Sequence, residues 1–104
     1  MNPATRLEQL KRLLATEPGD AFLNFGMAME LAKLGQFDES LAAFERVLEL
    51  DPAYIAAHFH KGKTLLTMGQ TADAKAALET GIKEAARYGE MHAKSEMEEL
   101  LGTL

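Results

Sequence analysis

The chain repeats itself at a shift of 34 residues, and this period constrains its fold more than any other feature. Identical residues recur along the whole period rather than in one short motif. The identical pairs include Pro18 and Pro52, Phe25 and Phe59, Leu31 and Leu65, Gly35 and Gly69, Gln36 and Gln70, Ala42 and Ala76, Ala43 and Ala77, and Glu45 and Glu79. A repeat of this length indicates a stack of similar supersecondary units, each burying its apolar face against the next.

Proline and glycine divide each period into two helical segments. Pro18 and Pro52 mark unit boundaries, because proline is tolerated only in the first turn of a helix. Gly35 and Gly69 lie in the middle of the period, where a left-handed residue closes a helix. Many Ala, Leu, Glu and Lys residues and only 7% aromatic residues favour helix over sheet. The sequence therefore predicts an all-α protein with six helices, at residues 3–16, 21–34, 38–50, 55–68, 72–87 and 90–101.

Residues at the helix starts agree with these boundaries. Asn2 is a suitable N-cap for the first helix. Asp38 and Asp73 place negative charge in the first turn of their helices, where the helix dipole favours it. Thr71 is predicted as the N-cap of helix 72–87.

The repeated unit resembles the tetratricopeptide repeat, a helix–turn–helix of the same length. The family's small residue, large apolar residue, turn glycine, two aromatics and closing proline correspond in residues 21–54 to Ala28, Leu31, Gly35, Phe37, Phe44 and Pro52. In residues 55–88 the same places hold Gly62, Leu65, Gly69, Thr71, Leu78 and Ala86. The second unit matches less well, because Lys61 stands where leucine is usual and Ala86 replaces the proline. The family's early aromatic is also missing, at Asn24 and at His58.

This resemblance implies a single domain, residues 1–104, built as an α–α superhelix of antiparallel helix pairs. Its expected parts are a half-repeat helix at 3–18, repeats at 21–54 and 55–88, and a capping helix at 90–104. Such caps are needed because inner repeats expose apolar surface on both sides.

The helix at residues 21–34 is apolar on two sides. At about 100° per residue, the face around Leu31 can pack within the stack, whereas Phe22, Phe25 and Met29 lie on nearly the opposite side. A simple two-layer packing buries only one of these faces. The second face is therefore a candidate binding surface.

In the tetratricopeptide family, the first helix of each unit lines a concave groove that holds peptides. The matching positions are Phe22, Phe25, Met29 and Lys33 in the first unit, and Ala56, Phe59, Lys63 and Thr67 in the second. The resemblance implies that these residues bind another protein, and that Phe25 and Phe59, one period apart, are neighbours.

The resemblance also indicates what this groove does not hold. Some family members grip a C-terminal carboxylate with a basic clamp, which needs Lys and Asn at the places of Phe25 and Met29. We therefore expect an apolar ligand, such as an amphipathic helix. Lys33 and Lys63 on the rim favour some negative charge on that ligand.

Charge and composition exclude several other classes of protein. The formal net charge is −5, and no basic run exceeds Lys11–Arg12, so nucleic acid is not an expected partner. No apolar stretch is long enough to span a membrane, and the first six residues do not form a signal peptide, which predicts a cytoplasmic protein without a membrane partner. Cysteine is absent, which excludes disulfides and thiolate catalysis.

No constellation of residues predicts an active site, a metal or a cofactor. His58 and His60 are two residues apart and point about 200° away from each other on a helix, so they do not share a metal. His92 follows His58 by one period. The carboxylates alternate with Lys and Arg at spacings typical of surface ion pairs.

Three functions remain open at this point. The favoured one is a protein–protein interaction adaptor or scaffold with an apolar groove. The alternative is a self-associating, homodimeric building block, in which the same apolar stripe, or the apolar ends of the short stack, are buried against a second copy. A purely structural interpretation is that the aromatics are core residues, buried by the flanking helices or by a second copy. A distant third is a metal-binding or enzymatic role through His58, His60 or His92.

Overall fold

A computed structural model describes the backbone of residues 3–104 and the side chains from residue 5 onward. These residues form six helices, so the all-α prediction is confirmed. The helices are α1 (Pro3–Thr16), α2 (Ala21–Lys33), α3 (Phe37–Leu50), α4 (Ile55–Thr67), α5 (Thr71–Arg87) and α6 (Met91–Gly102). Every helix boundary lies within one residue of its predicted position. Asn2, the predicted first N-cap, lies outside the described residues.

The helices group into two compact units. The first unit contains α1, α2 and α3 and ends at Asp51. Within it, α2 packs against both α1 and α3. The second unit begins at Pro52 and contains α4, α5 and α6, with α5 packed against both of its neighbours. The finer division into repeats at 21–54 and 55–88 stays a prediction.

The same repeat positions are buried in both units. Residues one period apart occupy equivalent places between the two helices of a pair. The buried pairs are Ala28 and Gly62, Leu31 and Leu65, Ser40 and Ala74, Phe44 and Leu78, and Val47 and Gly81. The 34-residue period of the sequence is therefore a period of core packing.

Small residues let the paired helices approach closely. In the first unit, Ala28 is fully buried and its carbonyl accepts a hydrogen bond of 2.7 Å from the Ser40 hydroxyl. In the second unit, a Cβ atom placed on Gly62 would lie 2.8 Å from a terminal carbon of Leu78. A larger side chain at these places would separate the helices.

Glycines close three of the helices, two of them at the predicted positions Gly35 and Gly69. Gly35 and Gly69 have φ angles of 75° and 78°, in the left-handed region that favours glycine. The amides of the next residues, Gln36 and Gln70, each donate to a carbonyl five residues earlier. This bond is characteristic of a Schellman-type helix end. Gly89, with a φ angle of 73°, closes α5 in the same way, and the Glu90 amide donates to the Ala85 carbonyl.

The capping residues agree only in part with the predictions. Asp38 and Asp73 lie in the first turns of α3 and α5, as predicted. Thr71 is not an N-cap: it is the first residue of α5, and Gln70 precedes it without a side-chain capping bond. At a different helix, Asp20 is the N-cap of α2. Its carboxylate accepts a hydrogen bond of 2.9 Å from the Leu23 amide.

Helix α6 covers the apolar side of α5. Met97 is fully buried and belongs to a core cluster with Ile55, Leu78 and Ala85. Leu100, Leu101 and Leu104 pack against the same cluster. His92, Ser95 and Glu96 are exposed on its other side. Helix α6 thus has an apolar inner face and a polar outer face, and its role as a capping helix stays a prediction.

The tightest approach in the second unit is at Gly81. A Cβ atom there would lie 2.6 Å from Sδ of Met97 and 2.7 Å from Cβ of His58. We expect Gly81→Ala to lower the free energy of unfolding by about 1–3 kcal/mol, because overpacking outweighs alanine's better helix propensity. Urea denaturation followed by circular dichroism measures this change.

Gly102→Ala is the matched control. Gly102 is also helical, but no heavy atom lies within 4 Å of a Cβ placed on it. Its replacement should leave stability unchanged or slightly raised. If Gly81→Ala were as stable as Gly102→Ala, this result would contradict the close approach of Met97 and His58 to Gly81.

Candidate functional site

A pocket of about 300 Å³ opens between α1 and α2, and we call it the α1–α2 pocket. All four residues predicted for the groove in the first unit line it. The complete lining is Arg6, Leu10, Phe22, Phe25, Gly26, Met29, Glu30 and Lys33. The second apolar face of α2, with Phe22, Phe25 and Met29, therefore forms a wall of this pocket.

The predicted aromatics of this pocket differ in exposure. Phe22 has 71% of its surface exposed, which is the largest exposure among the large apolar side chains of the described residues. Phe25 is half-buried, because its ring packs edge-on against Phe44 with centroids 6.0 Å apart. Met29 is also half-buried. Phe25 is thus both pocket wall and part of the α2–α3 core, whereas Phe22 is largely exposed to solvent.

One end of the α1–α2 pocket is charged. Glu30 is buried, and its Oε1 lies 3.5 Å from Nε of Arg6 and 3.3 Å from Nζ of Lys33. Both cations are largely exposed, while the carboxylate between them is not. A buried carboxylate is tolerated when it is paired in this way.

The predicted groove residues of the second unit lie on α4. Phe59 packs on its inner side against the core cluster of this unit. Nζ of Lys63 lies 4.1 Å from the centre of the Phe59 ring, which is a cation–π contact. The Thr67 hydroxyl donates a hydrogen bond to the Lys63 carbonyl within the helix. Ala56 is exposed. The predicted proximity of Phe25 and Phe59 stays a prediction.

Sequence reasoning missed the contribution of α1 to the site. Arg6 and Leu10 lie one helical turn apart and face α2. A Cβ atom placed on Gly26 would lie 3.4 Å from a terminal carbon of Leu10, and Arg6 reaches Glu30. The available signal was the spacing of Arg6 and Leu10, which places both on one face of a helix. That signal alone does not say which helix they face.

The three histidines occupy different surroundings. His58 is buried and its Nε2 lies 3.4 Å from the carbonyl of Pro52, which accepts a hydrogen bond from it. His92 is exposed, with Nε2 3.2 Å from Oε1 of Glu96. Burial lowers the pKa of His60 below its usual value, and the nearby charge of Lys63 lowers this pKa further. No group of three or more His, Asp or Glu residues able to hold a metal occurs among residues 3–104.

A second cavity lies between α5 and α6. It measures about 440 Å³ and is lined by Glu79, Ile82, Lys83, Glu98, Leu101 and Gly102. Charges of both signs surround its two apolar residues, and none of its lining residues was predicted for a site.

In the described part of the chain, no helix is both long and apolar enough to cross a membrane.

Comparisons of sequence and of structure with known proteins agree on one family. A model of the tetratricopeptide repeat matches residues 31–95. A TPR repeat-containing protein of Pseudomonas aeruginosa is 32% identical over 91 residues, which cover 88% of this chain and 87% of that protein. A Protein SGT1 homolog of Oryza sativa is 32% identical over 79 residues, covering 76% of this chain but only 22% of its own. The chain therefore belongs to the tetratricopeptide repeat family.

Solved structures share this fold. The solution structure of a Bordetella parapertussis protein is 31% identical with a TM-score of 0.83, covering 93% of this chain and 84% of its own. The TPR2B domain of yeast Sti1, solved with pHsp70, is 23% identical with a TM-score of 0.85. The match covers 91% of this chain and 76% of the Sti1 chain. PcrH, solved with the chaperone binding region of PopD, is 16% identical with a TM-score of 0.86. The match covers 93% of this chain and 74% of the PcrH chain. The family is generally a non-enzymatic, protein-interaction fold.

The lowered pKa of His60 makes a pH-dependent contribution to stability. Because the folded-state pKa lies below the ordinary histidine value of 6.5, the unfolded chain binds more protons as the pH falls through that value. The contribution of His60 is therefore present above this pH and decreases below it. We expect a His60 midpoint below 6.5 in an NMR titration of its ring protons.

The variant His60→Gln isolates this contribution from the other titrating groups. The wild-type chain should lose stability relative to His60→Gln when the pH is lowered from about 7.5 to about 5.5. A stability difference that stays constant over this interval, or a His60 midpoint above 6.5, would contradict the placement of the ring.

Proposed function

We propose that the chain is a protein-interaction module that captures an apolar, helical segment of another protein in the α1–α2 pocket. The observation that carries this proposal is the exposure of Phe22, 71% of whose surface faces solvent at a concave apolar site. Exposed apolar surface of this kind marks a binding site more often than a folding requirement.

The pocket offers enough apolar surface for specific but modest binding. Burying one large apolar side chain contributes about 1.5–3 kcal/mol relative to its exposed state. Phe22, Met29 and Leu10 can add to each other along a single ligand, less the cost of ordering that ligand. Since these residues lie on two packed helices, the site is formed before the ligand arrives.

Structural relatives support a polypeptide ligand. Sti1 TPR2B was solved with pHsp70, and PcrH was solved with a region of PopD. At 23% and 16% identity these structures support the analogy at the level of the fold. Phe25 and Met29 occupy the places where clamp-type relatives carry Lys and Asn, which favours an apolar segment over a bare C-terminal carboxylate.

The test is selection of binding peptides from a random library displayed on phage, with Phe22→Ser as the comparison. Phe22 is preferable to Phe25, because Phe25 also contacts Phe44 in the core. Clones selected on the wild-type chain should contain apolar residues at helical spacing and should lose at least about tenfold in affinity for Phe22→Ser. The stability of this variant should change by no more than about 0.5 kcal/mol.

Met91→Ser is the matched control, because Met91 is an exposed apolar residue on α6, in the other unit. The selected peptides should bind this variant as they bind the wild-type chain. If no clones are enriched, or if they bind Phe22→Ser equally well, the pocket is not the capture site.

Self-association through Phe22 is the alternative, motivated by the same exposure. Light scattering over a range of concentrations separates the two functions. A dimer that Phe22→Ser converts to a monomer supports the building block, whereas a monomer at all concentrations supports capture of a different protein.

A further inference from the structure

The α1–α2 pocket has a direction, with an apolar end and a charged end. Leu10 lies against Gly26, and Arg6 reaches Glu30, so α1 runs antiparallel to α2. Phe22 therefore lies toward one end, and the group of Arg6, Glu30 and Lys33 lies toward the other. Phe22 and Met29 are seven residues apart on α2, which corresponds to about 10 Å along the helix.

The charged end is positive as a whole. One buried carboxylate, Glu30, stands against two cations, Arg6 and Lys33. Nε of Arg6 lies 3.5 Å from Oε1 of Glu30, and a guanidinium carries four further N–H donors on its terminal nitrogens. Lys33 uses one of its three N–H donors on the same carboxylate oxygen. Because both side chains are largely exposed and line the pocket, their remaining donors are accessible to an incoming acceptor.

Glu30 also holds the two cations in place. Because its single Oε1 is within 3.5 Å of both nitrogens, Arg6 from α1 and Lys33 from α2 are drawn to one point on the rim. An incoming ammonium or guanidinium would meet these two charges before it could reach the buried carboxylate. This local sign is opposite to the net charge of −5 carried by the whole chain.

From this arrangement we infer that the pocket selects a helical segment whose apolar side chains are flanked by carboxylates. The inference rests on the proposed function and specifies its partner. Apolar side chains one or two turns apart contact Phe22 and Met29, and a carboxylate one turn beyond pairs with Arg6 and Lys33. Unlike the clamp of some relatives, this pairing uses a side-chain carboxylate beside an apolar anchor and a cation supplied by α1.

Two synthetic helical peptides of about 15 residues provide the test, sized to span the pocket at 1.5 Å per residue. Both carry Leu at the same helical spacing, and they differ only in having Glu or Lys on both sides of the Leu stripe. Flanking both ends makes the comparison independent of the direction in which the helix binds. Isothermal titration calorimetry measures each affinity for the wild-type chain at low salt.

The acidic peptide should bind about three- to tenfold more tightly than the basic one, since both cations are exposed and each contributes modestly. About 0.5 M salt should reduce this preference. The double variant Arg6→Gln with Lys33→Gln should abolish it while both peptides still bind. Lys75→Gln with Lys83→Gln removes the same charge from α5 and should leave the preference intact.

Three outcomes overturn the inference and leave the proposed function standing. The first is equal affinity of both peptides with loss of both in Phe22→Ser. The second is a preference that the Arg6→Gln with Lys33→Gln variant retains, while Phe22→Ser still loses both peptides. The third is no binding of either peptide to a chain that still enriches Phe22-dependent clones from the library. Failure of that enrichment, by contrast, removes the proposed function itself.

Discussion

The contact on which the pocket depends is the close packing of α2 against α3 at Ala28. Ala28 and Phe44 are fully buried there, and the Ser40 hydroxyl binds the Ala28 carbonyl at 2.7 Å. At about 100° per residue, fixing Ala28 toward α3 turns Phe22 and Met29 away from it. Helix α1 then covers only part of this second face, and the remainder is the pocket. The site is a consequence of how one small residue lets two helices meet.

The features that the sequence predicted are those that depend on local geometry. Six helices and their turns follow from proline, glycine and apolar spacing, because these act within a few residues. The two-sided apolar character of α2 follows from helix geometry alone. Phe22, Phe25 and Met29 were found in this way and Lys33 through the family resemblance, and the structure brings these four to one pocket. Their role in binding stays a prediction.

The features that the sequence did not predict depend on contacts between helices. Nothing in the spacing of α1 indicates that Arg6 meets Glu30, since this pair is separated by a turn and two helices must dock before it forms. Phe25 belongs to the core as well as to the pocket wall, because its ring packs against Phe44 on α3. A helical wheel of α2 does not show this contact. Thr71 and Gln70 are both plausible caps, and only the backbone at the turn decides between them. For these reasons the charge of the site was only partly anticipated, through Lys33.

The most direct test of the account is to locate a bound peptide by NMR. Methionine methyl groups give sharp signals, and the chain places Met29 in the α1–α2 pocket and exposed Met91 on α6. With a library-selected peptide bound, the account predicts intermolecular NOEs from the peptide to the Met29 methyl group and the Phe22 ring, and none to Met91. NOEs to Met91 or to the Leu101 methyl groups of the α5–α6 cavity, without any to Met29, would contradict it.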